Sequence, residues 1–157
     1  MDYKDKLLKY AIYYLSKYSS SKKNLEYIIK KKIRRLSDEK KIRYELYKEV
    51  QPIIQKLENL KLIDDQIFTE NKIHYLLHQA KSKNYIKQYL LQKGVSIELI
   101  EELLSKLYED KPNIEKTNAL KFAKKKNLLN NDQDYEKKLS KMARAGFSYE
   151  ISKDILK

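Results

Sequence analysis

One predicted helix, residues 21–36, carries positive charges with an aromatic residue among them on a single face. At 3.6 residues per turn, residues three, four and seven apart share a helix face. The face consists of Lys23, Tyr27, Lys30 and Arg34, with Lys31 beside them. Such a row suits a phosphate backbone or an acidic protein surface. An ordinary solvated lysine face has the same composition, so both interpretations stay open at this point.

A second group of cations lies near the end of the chain. Its candidate binding residues are Lys124, Lys126, Lys141 and Arg144, and Lys125, Lys137 and Lys138 accompany them. Consecutive lysines on a helix point in different directions, so only part of this run can serve one partner. The neighbouring Phe147 and Tyr149 are predicted to be core residues.

Histidine is the first candidate for metal chemistry. His74 and His78 are the only histidines, and they stand four residues apart on one predicted helix. That spacing can direct two imidazoles at one metal ion. However, Tyr75 occupies the place where a zinc-protease motif has its general-base glutamate, and the chain has no cysteine. We therefore predict exposed or half-buried histidines and no metal site.

Other catalytic arrangements are also missing from the sequence. Asp64 and Asp65 are adjacent, so their carboxylates do not face each other as an acid–base pair would, and helix N-capping explains them better. Phosphate-binding loops need several glycines, and the chain has two, Gly94 and Gly146, far apart. We predict that the protein is not an enzyme and uses no cofactor.

The net charge of +13 over 157 residues favours an anionic partner. Residues 1–62 hold 17 Lys and Arg against 8 Asp and Glu, residues 63–111 hold 7 against 8, and residues 112–157 hold 11 against 6. The mutational bias of an AT-rich genome explains part of the lysine content. It does not explain why the two ends are basic while the middle is not.

Composition limits the fold class and the compartment. Apolar runs are only a few residues long, so no transmembrane helix is predicted, and the first residues lack the apolar core of a signal peptide. The absence of cysteine excludes disulfides. With two glycines, two prolines and apolar residues at helical spacing, the sequence predicts an all-α cytoplasmic protein.

Both glycines lie in a phrase that occurs twice. "LQKGVSIELIEELL" begins at Leu91 and "ARAGFSYEISKDIL" at Ala143, with the glycines 52 residues apart. Each phrase predicts a helix that stops at a glycine with positive φ, followed by a serine that caps the next helix. The predicted capping residues are Ser96 and Ser148.

A fainter third copy lies upstream. Ser82 aligns with Ser21 when shifted back by 61 residues and with Asp134 when shifted forward by 52, and all three are good N-caps. Amphipathic helices are predicted before them at 3–18, 66–80 and 115–127. The chain therefore divides into three predicted three-helix repeats, residues 1–62, 63–111 and 112–157, which should stack on one another.

The first repeat departs from the other two. Ile33 occupies the glycine position, so the helix need not stop there, and 11 extra residues follow. We predict a helical extension over this insertion at about 37–48, with Ser37 as its cap. Pro52 then suits the first turn of the next helix.

Three phrases together resemble the RecX family of bacterial regulatory proteins: "IIQKLENLKLIDDQIFTENKI" from Ile53, "YLLQKGVSIELIEELLSKL" from Tyr89 and "MARAGFSYEISKDIL" from Met142. The resemblance extends over residues 5–157. It implies three tandem three-helix repeats in an elongated, curved array. It also implies a protein that binds the RecA–DNA filament and suppresses the ATPase, strand-exchange and coprotease activities of RecA.

Two kinds of function remain open. The first is a monomeric negative regulator of RecA that meets single-stranded DNA directly or through the filament. The second is a free-standing helical nucleic-acid-binding protein that acts without RecA. A structural adaptor is a third, weaker interpretation. Only the family resemblance separates the first two, because both explain the basic surfaces.

Overall fold

A computed structural model describes residues 2–129, 132 and 134–157, and this part of the chain forms ten α-helices and no strand. The helices are α1 (Tyr3–Lys17), α2 (Lys22–Leu36), α3 (Lys40–Tyr47), α4 (Val50–Asn59), α5 (Asp65–His78), α6 (Lys83–Gln92), α7 (Ile97–Asp110), α8 (Ile114–Lys125), α9 (Tyr135–Arg144) and α10 (Tyr149–Ile155). The all-α prediction is confirmed. The helices predicted at 3–18, 66–80 and 115–127 are α1, α5 and α8.

Side-chain N-caps begin the helices where the sequence predicted them. The Ser21 hydroxyl accepts the Asn24 N–H, and the Ser82 hydroxyl accepts the Tyr85 N–H, both at 3.1 Å. The remaining predicted caps, Ser96, Asp134 and Ser148, also accept a backbone N–H of the first turn of their helices. A cap of this kind satisfies one of the N–H groups that an α-helix leaves unpaired at its start.

The contacts divide the chain into two compact units. Unit 1 comprises Met1–Thr69 with Lys93–Val95, and unit 2 comprises Glu70–Gln92 with Ser96–Lys157. The division into three repeats at residues 62 and 111 stays a prediction.

The core of unit 1 is built from α1, α2, α3 and α4. Its fully buried centre includes Leu7, Leu25, Ile29, Ile33 and Leu57. Because Ile33 is core, α2 continues through this position to Leu36 rather than stopping there, as the sequence predicted. Burial of this apolar face, and not helix propensity alone, holds the lysine-rich α2 in a helix.

The predicted extension is the short helix α3, and it packs on the core. Leu46 is buried against the core of unit 1, with Ile42 and Tyr47 partly buried beside it. The Ser37 hydroxyl accepts the Glu39 N–H at 3.1 Å, while α3 begins one residue later. The prediction that Ser37 caps this helix was therefore wrong, because the serine closes a turn between α2 and α3.

Unit 2 has a core of its own on α8, α9 and the turn after α9. Ala119, Ala123, Leu128, Met142 and Phe147 are buried together. Phe147 is a core residue as predicted. The same prediction for Tyr149 was wrong: its side chain is 64% exposed, since it is the first residue of α10 and lies on the outer side of that helix.

In the described part of the chain five helices end in a left-handed turn, and two of these turns contain glycine. Gly94 has φ 78° and Gly146 has φ 95°, as the glycine stop predicted. Lys61, Ala80 and Asn127 take φ values of 56–59° at the ends of α4, α5 and α8. Positive φ is thus tolerated by other residue types in this chain, and it does not by itself explain the glycines.

Close approach of another helix explains why these two positions are glycine. A Cβ atom on Gly146 would overlap the Ser82 hydroxyl and lie 3.3 Å from the Tyr85 nitrogen at the start of α6. A Cβ atom on Gly94 would overlap the Lys23 side chain and lie 2.9 Å from its Cγ at the start of α2. Each glycine turn is therefore seated on the N-terminus of a helix that precedes it in the chain.

Hydrogen bonds fasten both of these contacts in the same way. The Ser21 hydroxyl donates to the Lys93 carbonyl, and the Ser82 hydroxyl donates to the Ala145 carbonyl at 2.7 Å. Both carbonyls belong to the residue directly before a glycine. Ser21 and Ser82 are fully buried. Each hydroxyl caps its own helix and also donates a hydrogen bond to a glycine turn.

Beside each of these contacts a carboxylate accepts a hydrogen bond from the backbone. Asp65 Oδ1 accepts the Lys22 N–H at 2.8 Å, and Glu115 accepts the Lys83 N–H at 3.0 and 3.1 Å. The acceptor at the first turn of α2 or α6 is thus the side chain of a later helix, α5 or α8. We call this arrangement of capping serine, glycine turn and carboxylate the capping joint. It occurs once in each unit.

Candidate partner and nucleic-acid interfaces

The predicted basic face of α2 is exposed, but its cations differ in whether they form ion pairs. Tyr27 is 55% exposed, and Lys31 and Arg34 are exposed without an ion pair among the described residues. Lys30 is only half-exposed and pairs with Glu26 at 2.7 Å. Lys23 lies 3.7 Å from the same carboxylate and contacts the Gly94 turn.

Glu26 was missing from the sequence analysis of this face. Its side chain is 17% exposed and accepts a hydrogen bond from Lys30, which holds the pKa of the Glu26 carboxyl below its usual value. A hydrogen bond from Gln51 acts in the same direction against the effect of burial. The i, i+4 spacing of Glu26 and Lys30 could have revealed this pair. The free charge of the face is therefore concentrated at Lys31 and Arg34.

The second predicted cluster surrounds a pocket in unit 2. The pocket has a volume of about 560 Å³ and is formed by residues from the end of α5 to the start of α6 and from α8 and α9. Its lining is Gln79, Ala80, Lys81, Ser82, Tyr85, Phe122, Lys125, Lys126, Lys141, Arg144, Ala145 and Phe147. We call it the cationic pocket, because five of these residues are basic and none is acidic.

Only some lysines of this second cluster line the cationic pocket in the described structure. Lys126, Lys141 and Arg144 line the cationic pocket, whereas Lys124 is exposed outside its lining. Lys138 is buried and does not belong to the free surface. Lys125 lines the pocket, and Lys81 joins it from the turn after α5. No local sequence signal identifies Lys81, because it is more than 40 residues from the other cations.

The sequence analysis also missed a groove between α1 and α2. The groove has a volume of about 490 Å³ and is lined by Lys6, Lys9, Tyr10, Tyr13, Lys32 and Leu36. The Lys32 amine lies 4.8 Å from the ring centroid of Tyr10, a cation–π contact between the two helices. The available sequence signal was the spacing of lysine and tyrosine along α1, where Lys6, Lys9, Tyr10 and Tyr13 recur at steps of three and four residues.

The histidines and aspartates singled out in the sequence belong to no group of metal ligands among the described residues. His74 and His78 are exposed and line a polar pocket of about 510 Å³ with Lys111 and Lys121. In the described residues no three His, Cys, Asp or Glu side chains are grouped as metal ligands. Asp64 accepts the Ile67 N–H at 3.1 Å and so caps α5 as predicted, while Asp65 caps α2 instead.

None of the described helices combines the length and the apolar character that crossing a membrane requires.

Helix order and surface chemistry define an all-α protein with recurrent capping joints and exposed cationic surfaces. Residues 64–104, which cover most of α5, α6 and α7, match the family model "RecX, second three-helix domain". The crystal structure of RecX from Lactobacillus salivarius superimposes with a TM-score of 0.66 at 25% identity, covering 98% of this chain and 94% of that one. A second RecX crystal structure shares the fold, with a TM-score of 0.70 at 23% identity.

Relatives are similar along most of the chain. The regulatory protein RecX of Clostridium botulinum (strain Alaska E43 / Type E3) is 36% identical in an alignment of length 144, which covers 84% of this chain and 66% of that protein. The regulatory protein RecX of Myxococcus xanthus is 26% identical in an alignment of length 154, which covers 93% of this chain and 81% of that protein. The chain thus spans about two thirds of the length of the clostridial relative. It belongs to the RecX family.

Proposed function

We propose that the protein is a negative regulator of RecA that binds the RecA–DNA filament. The observation that carries this proposal is its similarity, over 84% of the chain, to a protein named regulatory protein RecX. On this proposal it inhibits the ATPase, strand-exchange and coprotease activities of RecA. It acts as a cytoplasmic monomer, without catalytic residues or a cofactor of its own.

The mechanism we propose depends on the linear nature of a filament. One bound regulator affects many subunits when it blocks growth or stiffens a groove that neighbouring subunits share. The α2 face offers Lys31 and Arg34 as free cations beside the exposed Tyr27. These groups suit an acidic protein surface or the phosphates of filament DNA, and charge accelerates the encounter.

The second candidate function is nucleic-acid binding without RecA. It is favoured by the groove between α1 and α2, where three lysines stand among two tyrosines. Tyrosine rings stack on bases, and lysine amines neutralise phosphates, irrespective of sequence. This groove is separate from the basic α2 face, since Lys32 projects from the side of α2 that meets α1.

A retention assay separates the two candidates. The purified protein is mixed with RecA from the same organism, with and without single-stranded DNA and a non-hydrolysable ATP analogue. Retention by the assembled filament only, with inhibition of the RecA ATPase well below equimolar protein, supports the regulator. Tight binding to bare DNA with no effect on RecA supports the alternative and contradicts the regulator.

Charge reversals then test the α2 face. Lys31→Glu with Arg34→Glu is expected to reduce ATPase inhibition at least tenfold. Lys106→Glu with Lys153→Glu is the matched control, since both lysines are exposed, lie outside the candidate surfaces and change the net charge equally. Equal inhibition by the two double variants would show that only net charge matters.

A further inference from the structure

The cationic pocket combines an apolar floor with a basic rim. Phe122 and Phe147 stand with ring centroids 5.8 Å apart, and Ala80 and Ala145 extend this apolar surface. The basic residues of the lining form its rim: Lys81, Lys125, Lys126, Lys141 and Arg144. The volume of about 560 Å³ lies within the range of small-molecule sites, which are mostly apolar with a few convergent polar groups.

The rim charges are not neutralised by ion pairs among the described residues. None of Lys125, Lys126, Lys141 and Arg144 forms an ion pair within the described part of the chain, and all four are exposed. No carboxylate is present among the described residues that line the pocket. Concave surfaces of one charge sign concentrate the field and attract ligands of the opposite sign.

Hydrogen bonds hold the walls of the pocket in place. The Ser82 hydroxyl joins the Ala145 carbonyl, and the buried Asn118 amide donates to the Lys81 carbonyl at 3.3 Å. The Lys81 amine lies 4.7 Å from the ring centroid of Tyr85, so one rim cation is already oriented over an aromatic ring. The capping joint of unit 2 therefore also forms one wall of the pocket.

We propose that the cationic pocket binds a nucleotide. Its base lies on the apolar floor beside Phe122, and its phosphate groups are bound by Arg144, Lys141 and Lys126. A guanidinium binds phosphate through paired hydrogen bonds, and lysine amines add compact charges. An aromatic surface beside a basic rim complements a nucleotide, whose planar base and phosphate are joined in one molecule. The nucleotide is either free or part of a single strand.

The test uses the full chain without RecA, so its outcome is independent of the proposed regulation. Calorimetry compares ATP, AMP, inorganic tripolyphosphate and an oligothymidylate. Saturable binding of ATP that is at least tenfold tighter than that of tripolyphosphate supports the pocket and identifies a free nucleotide as its ligand. Binding of the oligothymidylate without binding of AMP or ATP also supports the proposal, and it identifies a nucleotide within a single strand as the ligand.

Variants locate the binding. Lys141→Glu with Arg144→Glu is expected to weaken binding at least tenfold, whereas the control Lys106→Glu with Lys153→Glu leaves it within twofold. Phe122→Leu should weaken ATP binding and leave tripolyphosphate binding unchanged, with circular dichroism confirming the fold. Where ATP binds, an equal affinity for tripolyphosphate would overturn the proposal. No binding of any of these probes, or an unchanged affinity in the Lys141 and Arg144 variant, would overturn it as well.

Discussion

Gly94 and Gly146 show that one residue type can meet two requirements at once. Both take positive φ, yet Lys61 and Asn127 do the same elsewhere with a side chain. What distinguishes the glycines is the serine-capped helix start against which each is seated. Steric exclusion of a Cβ atom, in addition to backbone conformation, therefore determines these positions.

Gly146→Ala is expected to destabilise the protein by about 1–3 kcal/mol, because the new methyl group overlaps the Ser82 hydroxyl. Lys61→Ala is the control, since that residue already carries a Cβ atom at φ 58°. Chemical denaturation measures both. A Ser82→Ala background removes the overlapping oxygen, so Gly146→Ala should cost less there than in the wild type. Equal losses in both backgrounds would contradict the steric explanation.

Glu26 predicts a pH dependence of stability. The pKa of the Glu26 carboxyl is lowered in the fold, chiefly by the hydrogen bond from Lys30. Its contribution to folding stability is therefore fully present above pH 4.5, the ordinary pKa, and is lost as the pH falls through the lowered pKa. Glu26→Gln should reduce stability at pH 7 by less than about 1 kcal/mol, because Lys30 remains half-exposed. Melting temperatures from pH 7 to pH 3 should converge for the two proteins. A constant difference would contradict this.

At the scale of helices, the two kinds of serine cap can be compared directly. Ser21 and Ser96 each accept an N–H three residues ahead, but Ser21 is buried and also donates to the Lys93 carbonyl. Ser96→Ala should cost about 1 kcal/mol for the lost cap. Ser21→Ala should cost about 2–3 kcal/mol, since the part-buried hydrogen bond from Ser21 to the Lys93 carbonyl is lost together with the cap. Equal costs, measured by denaturation, would show that the capping joint adds no stability.

The insertion after α2 provides the other test at this scale. Leu46 anchors α3 in the core of unit 1, whereas Tyr44 on the same helix is 63% exposed. Leu46→Ala is expected to destabilise by about 2–3 kcal/mol through the cavity it leaves. Tyr44→Ala should change stability by less than about 0.5 kcal/mol. A loss for Leu46→Ala as small as that expected for Tyr44→Ala would mean that the packing of α3 does not stabilise the protein.

For the whole molecule, the charge of +13 predicts salt-dependent binding of single strands. Each phosphate contact adds about 0.7 to the slope of log affinity against log salt. Lys6→Glu with Lys9→Glu, in the groove between α1 and α2, should lower this slope by about 1.4 if each lysine contacts one phosphate. Fluorescence anisotropy between 50 and 200 mM salt measures it. An unchanged slope would exclude this groove from the contact.

Much of the helical architecture could be read from the sequence, because its causes are local. Apolar spacing predicts α1, α5 and α8, and the caps at Ser21, Ser82 and Asp134 need only a side-chain oxygen near a helix start. Candidate sites were predicted less well. The α2 face was identified from its own spacing, but the pairing of Lys30 with Glu26 was overlooked.

Tertiary structure alone decided the remaining features, because they join residues that are distant in the chain. Lys81 meets Lys141 and Arg144 at one pocket, and Tyr149 turns outward although its counterpart in the repeat, Ile97, is half-buried. Sequence spacing establishes which residues share a helix face, but not which face another helix covers. The amino-acid sequence therefore determined the helices and their caps, and packing between helices determined which cations stay free to bind a partner.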